Sequence, residues 1–163
     1  MEGGLFAFAM FMAVFGIFFI IIGIVMYILL ALGLYTLAQK RNIENPWLAW
    51  IPIVGQAFIL GKLVGCEVNI GSWKIEKLDM VLLIGSIIVL VLSWVPVLNV
   101  ILGIAYAVLY FFALHKLFTI YKPDQAVLWL VLSIILSFMG PIFIFIMRNE
   151  EPKIDAGATS VGA

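Results

Sequence analysis

Charge, cysteine and histidine are all scarce in this chain. Only 11% of its 163 residues are charged, with nine basic and nine acidic side chains and a formal net charge of 0. A nucleic-acid-binding face needs a surplus of Lys and Arg, so the composition argues against nucleic acid as a partner. Cys66 is the single cysteine, which excludes an intramolecular disulfide and a thiolate metal cluster within one chain.

Groups that could perform catalysis are equally few. His115 is the only histidine, and one imidazole without clustered cysteines or carboxylates cannot fill a metal shell. The apolar segments contain serines but no Asp or Glu, so no nucleophile is accompanied by a base. We therefore predict no enzyme activity, no catalytic residue, no metal and no cofactor. Hydrogen bonding to the helix backbone is the expected role of the serines, which are Ser86, Ser93, Ser133 and Ser137.

Apolar residues dominate what remains. They make up 66% of the chain, with a mean hydropathy of +1.25, whereas soluble domains are about half apolar and about a quarter charged. We predict an all-α membrane protein with three to four transmembrane helices and one or two Pro-broken re-entrant hairpins. Residues 1–150 form one domain in this prediction. Its spans are about 5–38, 80–98, 100–121 and 126–147, with a re-entrant segment at 46–65 and a disordered tail at 151–163.

Proline and tryptophan mark the breaks between and within these segments. Asn45 is a plausible N-cap, and Pro46 suits a first helical position because its missing N–H costs nothing there. Pro52 interrupts the next apolar stretch. Its Trp-x-Pro context returns later in the chain, and a Gly-Pro break follows at Pro141. The residues of this turning motif are Asn45, Pro46, Trp47, Trp50, Pro52, Gln56, Trp94, Pro96, Asn99 and Pro141.

Two of these motif residues are polar groups inside apolar sequence. Gln56 and Asn99 follow the two Trp-x-Pro breaks at similar offsets. Polar side chains at membrane depth are candidates for function because leaving them unsatisfied is costly. We expect both to cap backbone carbonyls exposed at the turns, with a permeation site as the alternative. The polar segment 66–79 that separates the two breaks is predicted to be a solvated loop or a short surface helix.

Small residues recur along two of the predicted helices. Such faces let helix backbones approach closely in membranes, so we predict that they are packing surfaces. The first helix carries one at about 3.5-residue spacing and the third carries a small-xxx-small pair. The residues are Ala9, Ala13, Gly16 and Gly23 in the first helix, and Gly103 and Ala107 in the third.

Basic residues decide between two topologies. If all five apolar segments cross the bilayer, Lys and Arg divide four to five between the two sides, which gives no orientation. If residues 46–65 enter and return, the division is seven to two. If the chain also turns back at the Gly140-Pro141 break, all nine share one side. The bias favours at least one re-entrant segment, with the N-terminus outside and residues 66–79 cytoplasmic.

The order of these motifs resembles a known family. The residues are Asn-Pro-Trp-Leu-Ala-Trp-Ile-Pro-Ile at 45–53, Leu-Gly-Lys-Leu at 60–63, the break at 94–99, His-Lys-Leu-Phe at 115–118 and Pro-Ile-Phe at 141–143. Together they resemble a small bacterial membrane domain of unknown function, found alone or fused to type I signal peptidases. The resemblance covers roughly residues 36–150. It implies a protein of the bacterial cytoplasmic (inner) membrane, and it supplies no catalytic residues.

The expected function follows from the small-residue faces and from the absence of a sizeable soluble region. We predict a non-enzymatic accessory or assembly subunit that acts through helix–helix association. Its partners would be the lipid bilayer and either further copies of itself or another membrane protein. The alternative, from a different class, is an oligomeric channel or small-solute transporter, since transporters use broken helices near the bilayer midplane.

Overall fold

The computed structural model describes residues 2–70 and 73–154, and helices form most of this part. The α-helices are α1 (Glu2–Lys40), α2 (Val54–Leu63), α3 (Leu78–Val91), α4 (Pro96–Tyr121), α5 (Ala126–Ile135) and α6 (Met139–Met147). Short 3-10 helices lie at Pro46–Trp50, Leu92–Trp94 and Pro123–Gln125. The predicted helical class is confirmed. Of the predicted tail, residues 155–163 lie outside the described residues.

The polar segment between α2 and α3 is a β-hairpin, so the prediction of a loop or surface helix there was wrong. Strands β1 (Glu67–Ile70) and β2 (Trp73–Glu76) pair antiparallel, with Glu67 opposite Glu76 and Ile70 opposite Trp73. Both strands alternate polar and apolar residues, and two residues, Gly and Ser, separate them in the sequence. Alternation on both sides of a two-residue connection is typical of a β-hairpin. The loop was predicted because the segment carries many charged residues.

Two helices in the described residues are long and apolar enough to cross a membrane, Gly3–Lys40 and Pro96–Tyr121. The other two predicted spans are shorter or divided. Residues 80–98 were predicted as one span, but the helical stretch is Leu78–Trp94 and α4 already begins at Pro96. The predicted span 126–147 is two helices, α5 and α6, separated by residues 136–138.

The C-terminal end of α1 lies beside the ends of two other helices. The Lys40 ammonium donates a hydrogen bond to the Asn149 carbonyl at 2.8 Å, just after α6. The Arg41 guanidinium donates to the Leu63 carbonyl, which is the last residue of α2. The ends of α1, α2 and α6 therefore meet on one side of the molecule.

The start of α3 and the end of α4 lie on that side as well. The N–H of Leu78 donates to the Cys66 carbonyl at 2.8 Å, and the N–H of Lys153 donates to the Ile120 carbonyl at 2.8 Å. We call this side the polar end, comprising residues 39–45, 62–70, 73–79, 115–125 and 147–154. All nine basic residues fall within it: Lys40, Arg41, Lys62, Lys74, Lys77, Lys116, Lys122, Arg148 and Lys153.

The hydrophobic core lies in the half of the molecule next to the polar end. Its fully buried side chains include Leu37, Leu63, Leu78, Leu117 and Phe118, each within about a turn and a half of a helix end there. The N-terminal half of α1 contributes nothing to this core. From Leu5, which is 69% exposed, to Ile20, which is 63% exposed, every large apolar side chain is open on all sides of the helix.

Candidate functional site

Residues 46–63, the first broken segment, leave the polar end and return to it. The 3-10 helix Pro46–Trp50 runs along α1, and the Tyr27 hydroxyl donates to the Trp50 carbonyl. Lys40 and Tyr27 are 13 residues apart, so Trp50 lies about 20 Å along α1 from the polar end. Helix α2 then runs back until the Leu63 carbonyl meets Arg41. The chain therefore reverses at residues 51–53.

A strained turn makes this reversal. Ile53 has φ 64° and ψ −68°, and the N–H of Val54 donates to the Pro52 carbonyl at 2.7 Å. This is a γ-turn of the rare kind with positive φ, which is costly for a β-branched residue. Gly55 allows the reversal, because a Cβ there would lie 2.0 Å from the Leu48 carbonyl oxygen. Two backbone segments thus meet where only glycine fits.

The two Trp-x-Pro motifs share a local conformation. Trp50 and Trp94 each end a 3-10 helix, and the residue after each is extended, with Ile51 at φ −80° and ψ 114° and Val95 at φ −111° and ψ 95°. That conformation is imposed on residues before proline. The motifs diverge afterwards, because Pro96 opens α4 directly. The predicted turning device is therefore common to both motifs only up to the proline.

Other members of the motif occupy the expected backbone positions without the expected side-chain bonds. Pro46 begins a 3-10 helix, as predicted, and Asn45 precedes it in the left-handed region at φ 59°. The Asn45 side chain, however, caps no N–H group. Trp47 is 56% exposed and Trp94 is 91% exposed, so both indoles lie on the outer surface.

Residues 126–147, the second broken segment, also return to the polar end. Lys122 and Glu150 join its two ends with a 2.8 Å ion pair, and the rings of Trp129 and Phe143 stack with centroids 4.5 Å apart. The break was predicted at Gly140-Pro141, but it lies at residues 136–138, and Pro141 is the third residue of α6. Proline is tolerated in the first turn of a helix, where N–H groups lack helical partners. Pro141 therefore fits the first turn of α6, and α5 has to end before it.

The buried amides were predicted to cap exposed carbonyls, and for Gln56 this is wrong. Gln56 is 8% exposed, and its Nε2, the group that would donate to a carbonyl, has no hydrogen-bond partner. The Oδ1 of Asn99 is likewise buried without a partner. Asn99 lies in the first turn of α4 rather than in the connection before it.

A cavity of about 180 Å³ lies between α3, α4 and the turn of the first broken segment. Its polar lining consists of Ser86, Ser93, Asn99 and Tyr106, and Ile53 borders it from the turn. Ser86 Oγ donates to the Leu83 carbonyl at 2.7 Å, which is the backbone bonding predicted for the serines. We call this space the Asn99 cavity.

A second cavity, of about 200 Å³, lies at the turn of the second broken segment. It is lined by Tyr110, Ser133, Ser137 and Pro141, among others. Ser133 Oγ donates to the Trp129 carbonyl at 2.7 Å. The rings of Tyr106 and Tyr110 lie one turn apart on α4 with centroids 6.4 Å apart. Each broken segment therefore reaches one member of a tyrosine pair on the same helix.

The predicted small-residue faces make no close contact within the chain. Ala9, Ala13 and Gly16 lie in the exposed N-terminal half of α1, and Gly23, just beyond it, is exposed as well. A Cβ added at Gly16, Gly23 or Gly103 would meet nothing within 4 Å, and Ala107 is half-buried. Within the described part of the chain, no other helix packs closely against these glycines. Their role between chains stays a prediction.

Other glycines, missed in the sequence, provide the close packing. A Cβ at Gly33 would lie 2.8 Å from the Ile144 side chain, and one at Gly61 would lie 2.4 Å from the Asp79 Cα. They bring α1 against α6 and α2 against α3. No local pattern distinguishes Gly33 from Gly23, because only the partner helix differs.

Charged groups at the polar end interact chiefly at the surface. The Lys122 hydrogen bond and charge hold the pKa of the Glu150 carboxyl below its usual value. Lys62 and Arg148 each lie over a phenylalanine ring, Phe58 at 5.0 Å and Phe145 at 3.6 Å. His115 borders an apolar groove between α4 and α5. Among the described residues, no three His, Cys, Asp or Glu side chains group together as metal ligands would.

Comparison with known proteins adds no relative. The chain matches no protein family, no curated protein and no solved structure. The resemblance to the bacterial membrane domain therefore stays a prediction, and the functional argument depends on this chain alone.

Proposed function

We propose that this protein is a non-enzymatic integral membrane protein that works as an accessory or assembly subunit through helix–helix association. The exposed N-terminal half of α1 carries the proposal. It presents apolar side chains on every side, far beyond the few hundred square ångströms of apolar patch that a soluble monomer exposes. Lipid and a second helix are the surfaces that such a helix can contact without loss of free energy.

The proposed topology has α1, α3 and α4 crossing the membrane, with both broken segments entering and returning on one side. The meeting of their ends at the polar end, together with all nine basic residues, supports this arrangement. By the positive-inside rule the polar end is cytoplasmic and the N-terminus is outside. The proposed bacterial inner-membrane location is what the predicted resemblance of residues 36–150 implies.

Thiol labelling tests the orientation without any substitution. Cys66 is the only cysteine and lies at the polar end. We expect a membrane-impermeant maleimide to modify it in inside-out vesicles and not in intact cells. Modification from the outside of intact cells would contradict the proposed topology.

The small-residue face of α1 is the surface proposed for association. It includes Ala13 and Gly16, where a neighbouring helix can approach closely because nothing within the chain occupies the space. Ala7 lies on the opposite side of the same helix, is also exposed, and serves as a control. The proposed partner is a second copy of this chain or another membrane protein.

The same substitution, alanine to leucine, at two positions of α1 tests this surface. Added methylenes at a close contact cost about 1–3 kcal/mol, so Ala13→Leu should weaken association about tenfold. Ala7→Leu should leave it unchanged. The measurement is the mass of the purified complex in mild detergent, followed over a dilution series. A monomeric wild type that recovers no partner from the membrane, or equal effects of the two variants, would contradict the proposal.

A channel or small-solute transporter is the second candidate. Two observations favour it: the pair of neutral cavities at the turns of the broken segments, and the unpaired buried polar atoms of Asn99, which borders the first cavity, and of Gln56 on α2. Liposome flux of small neutral solutes should then exceed that of empty vesicles and fall in Gln56→Leu and Asn99→Leu. Flux equal to that of empty vesicles would exclude this candidate.

A further inference from the structure

We infer that the N-terminal half of α1 pairs with the same segment of a second copy of this chain, as two parallel helices that cross near Gly16. The inference rests on the proposed association through α1 and specifies its partner, its orientation and its crossing angle. It depends on how the exposed half of α1 continues the half that is packed.

One side of α1 is continuous through both of its halves. Eighteen residues make five helical turns, so residues 18 apart lie on the same side of a helix. Three small residues of the exposed half therefore lie in line with three residues of the packed half. The pairs are Ala9 with Tyr27, Ala13 with Ala31, and Gly16 with Leu34.

In the packed half, this side is covered by the chain's own broken segments. The elements with extensive contacts to α1 are the 3-10 helix Pro46–Trp50, α2 and α6, which all belong to those segments. The cover ends near the turn of the first segment, where the Tyr27 hydroxyl donates to the Trp50 carbonyl. Beyond it, nothing in the described part of the chain lies within 4 Å of a Cβ added at Gly16. The packed interface of α1 thus continues toward the N-terminus as an open surface.

The exposed half offers enough surface for a stable pair of helices. Its six phenylalanines are 48–69% exposed. At about 100 Å² each, they present about 600 Å² before the aliphatic side chains are counted. A standard interface buries about 800 Å² on each partner, which one side of this helix can supply once its leucine, isoleucine and methionine side chains are added. The small residues at the centre allow the two backbones to approach closely.

The broken segments limit the crossing angle. Tyr27 is 11 residues from Gly16, or about 16 Å along the helix. A partner that crosses at about 40° is displaced sideways by about 11 Å at that level, so it passes beside the turn at an ordinary packing distance. A crossing of about 20°, as in a coiled coil, would leave only about 6 Å and place the partner in the space of the turn. The steeper crossing is therefore the one that fits.

A second copy meets these requirements from both sides. The partner must present small residues at the crossing and keep its own packed elements clear of the first chain. In a two-fold pair both conditions are met at once, because the same surface is used by each copy. Copies of one protein enter the membrane in the same orientation, so the two α1 helices are parallel.

Disulfide cross-linking in the membrane tests the pairing side. In a Cys66→Ser background, Ala13→Cys and Gly16→Cys place thiols on that side, and Ala7→Cys places one on the opposite side of the same helix. All three positions are exposed, so the fold of the chain should tolerate them. Oxidation should produce covalent dimers at positions 13 and 16. It should be about tenfold slower at position 7, because a disulfide needs Cβ atoms about 4 Å apart.

A distance between spin labels tests the crossing angle. Gln39 is exposed near the C-terminal end of α1, and Gln39→Cys in the same background carries the label. Pulsed electron paramagnetic resonance in nanodiscs measures the separation between copies. For a parallel pair that crosses at about 40° near Gly16, the two backbones at position 39 should be about 24 Å apart.

The possible contrary results separate this inference from the proposed association. A separation of about 12 Å would indicate a coiled coil, and one of about 60 Å or more would indicate antiparallel helices, so either would overturn the inferred geometry. Equal cross-linking at positions 7 and 13 would overturn the pairing side. A complex in mild detergent whose mass shows a different membrane protein instead of a second copy would overturn the inference and leave the association intact. A monomer without any partner would overturn both.

Discussion

The two broken segments return to the same end of the molecule by different kinds of packing. The first is held at its main-chain atoms, since Gly55 packs against the Leu48 carbonyl and the Tyr27 hydroxyl donates to the Trp50 carbonyl. The second closes through side chains, with Trp129 stacked on Phe143. A chain reversal among apolar residues can thus be stabilised either by a glycine, which lets two backbone segments touch, or by a large aromatic side chain that packs between them. The two solutions tolerate opposite substitutions.

The largest expected difference concerns the tryptophans. Trp129 is 8% exposed between Phe118 and Phe143, so Trp129→Ala should lower the free energy of unfolding by about 3 kcal/mol. Trp50 is 40% exposed, and its carbonyl bond to Tyr27 survives replacement of the side chain. Trp50→Ala should therefore cost about 1 kcal/mol or less. Thermal unfolding in detergent measures both, and equal losses would remove the distinction.

The glycines should show the reverse order. Gly55→Ala puts a methyl group against a backbone oxygen and should cost about 2–3 kcal/mol, since the two segments must separate. At Gly140 the nearest atom to an added Cβ is Ser133 Oγ at 3.6 Å, an ordinary contact. Gly140→Ala should change the unfolding temperature little. A tolerated Gly55→Ala would show that the close main-chain approach is dispensable.

Substitutions after the two Trp-x-Pro prolines should have opposite signs. Ile53→Gly relieves a positive φ and should stabilise the protein by about 0.5–1 kcal/mol. Val97→Gly, at the matching position in α4, should destabilise it by about 0.3–0.5 kcal/mol, because glycine is a poorer helix former than valine. The unfolding temperatures of the two variants and the wild type measure this, and a destabilised Ile53→Gly would contradict the account of the turn.

The smallest effect should be a pH dependence confined to the second segment. Its closing pair uses Glu150, whose pKa Lys122 lowers below the usual value of about 4.5. The contribution of the pair to stability is complete above that value and is lost as the pH falls through the lower folded-state pKa. Arg41 closes the first segment on a carbonyl, which does not titrate.

Comparing the wild type with Glu150→Gln isolates this contribution. The difference in unfolding temperature between the two proteins should be present at pH 7 and should shrink below pH 4. A difference that stays constant down to pH 3 would show that the ion pair does not contribute through its charge.

Much of the architecture could be predicted from the sequence because proline and charge act locally. Pro46 and Pro96 lie at the starts of helices, where the rules for helix ends place them. The break near Pro141 was predicted a few residues too late in the chain, because the same rules allow proline inside the first turn of a helix. The count of basic residues favoured broken segments whose two ends lie on the same side. The contacts at the polar end bring the two ends of each broken segment together in the fold. The orientation in a membrane stays a prediction.

The candidate site was less accessible to sequence reasoning. Gln56 and Asn99 were recognised as unusual because polar residues in apolar sequence are visible locally. Their unpaired atoms and the cavity depend on how α3 and α4 meet the turn at Ile53, which no local pattern encodes. The glycines that matter, such as Gly55, are defined by an atom of another segment.

The unequal lengths of the proposed spans have a consequence for the surrounding lipid. Helix α1 has 39 residues and is about 58 Å long, whereas Leu78–Trp94 is about 25 Å long and the hydrocarbon of a bilayer is about 30 Å thick. One side of the protein is therefore too long for the membrane and another is too short. Such a molecule tilts and deforms the bilayer around it, so its distribution should respond to membrane thickness. Two copies whose deformations overlap would be drawn together by the lipid itself.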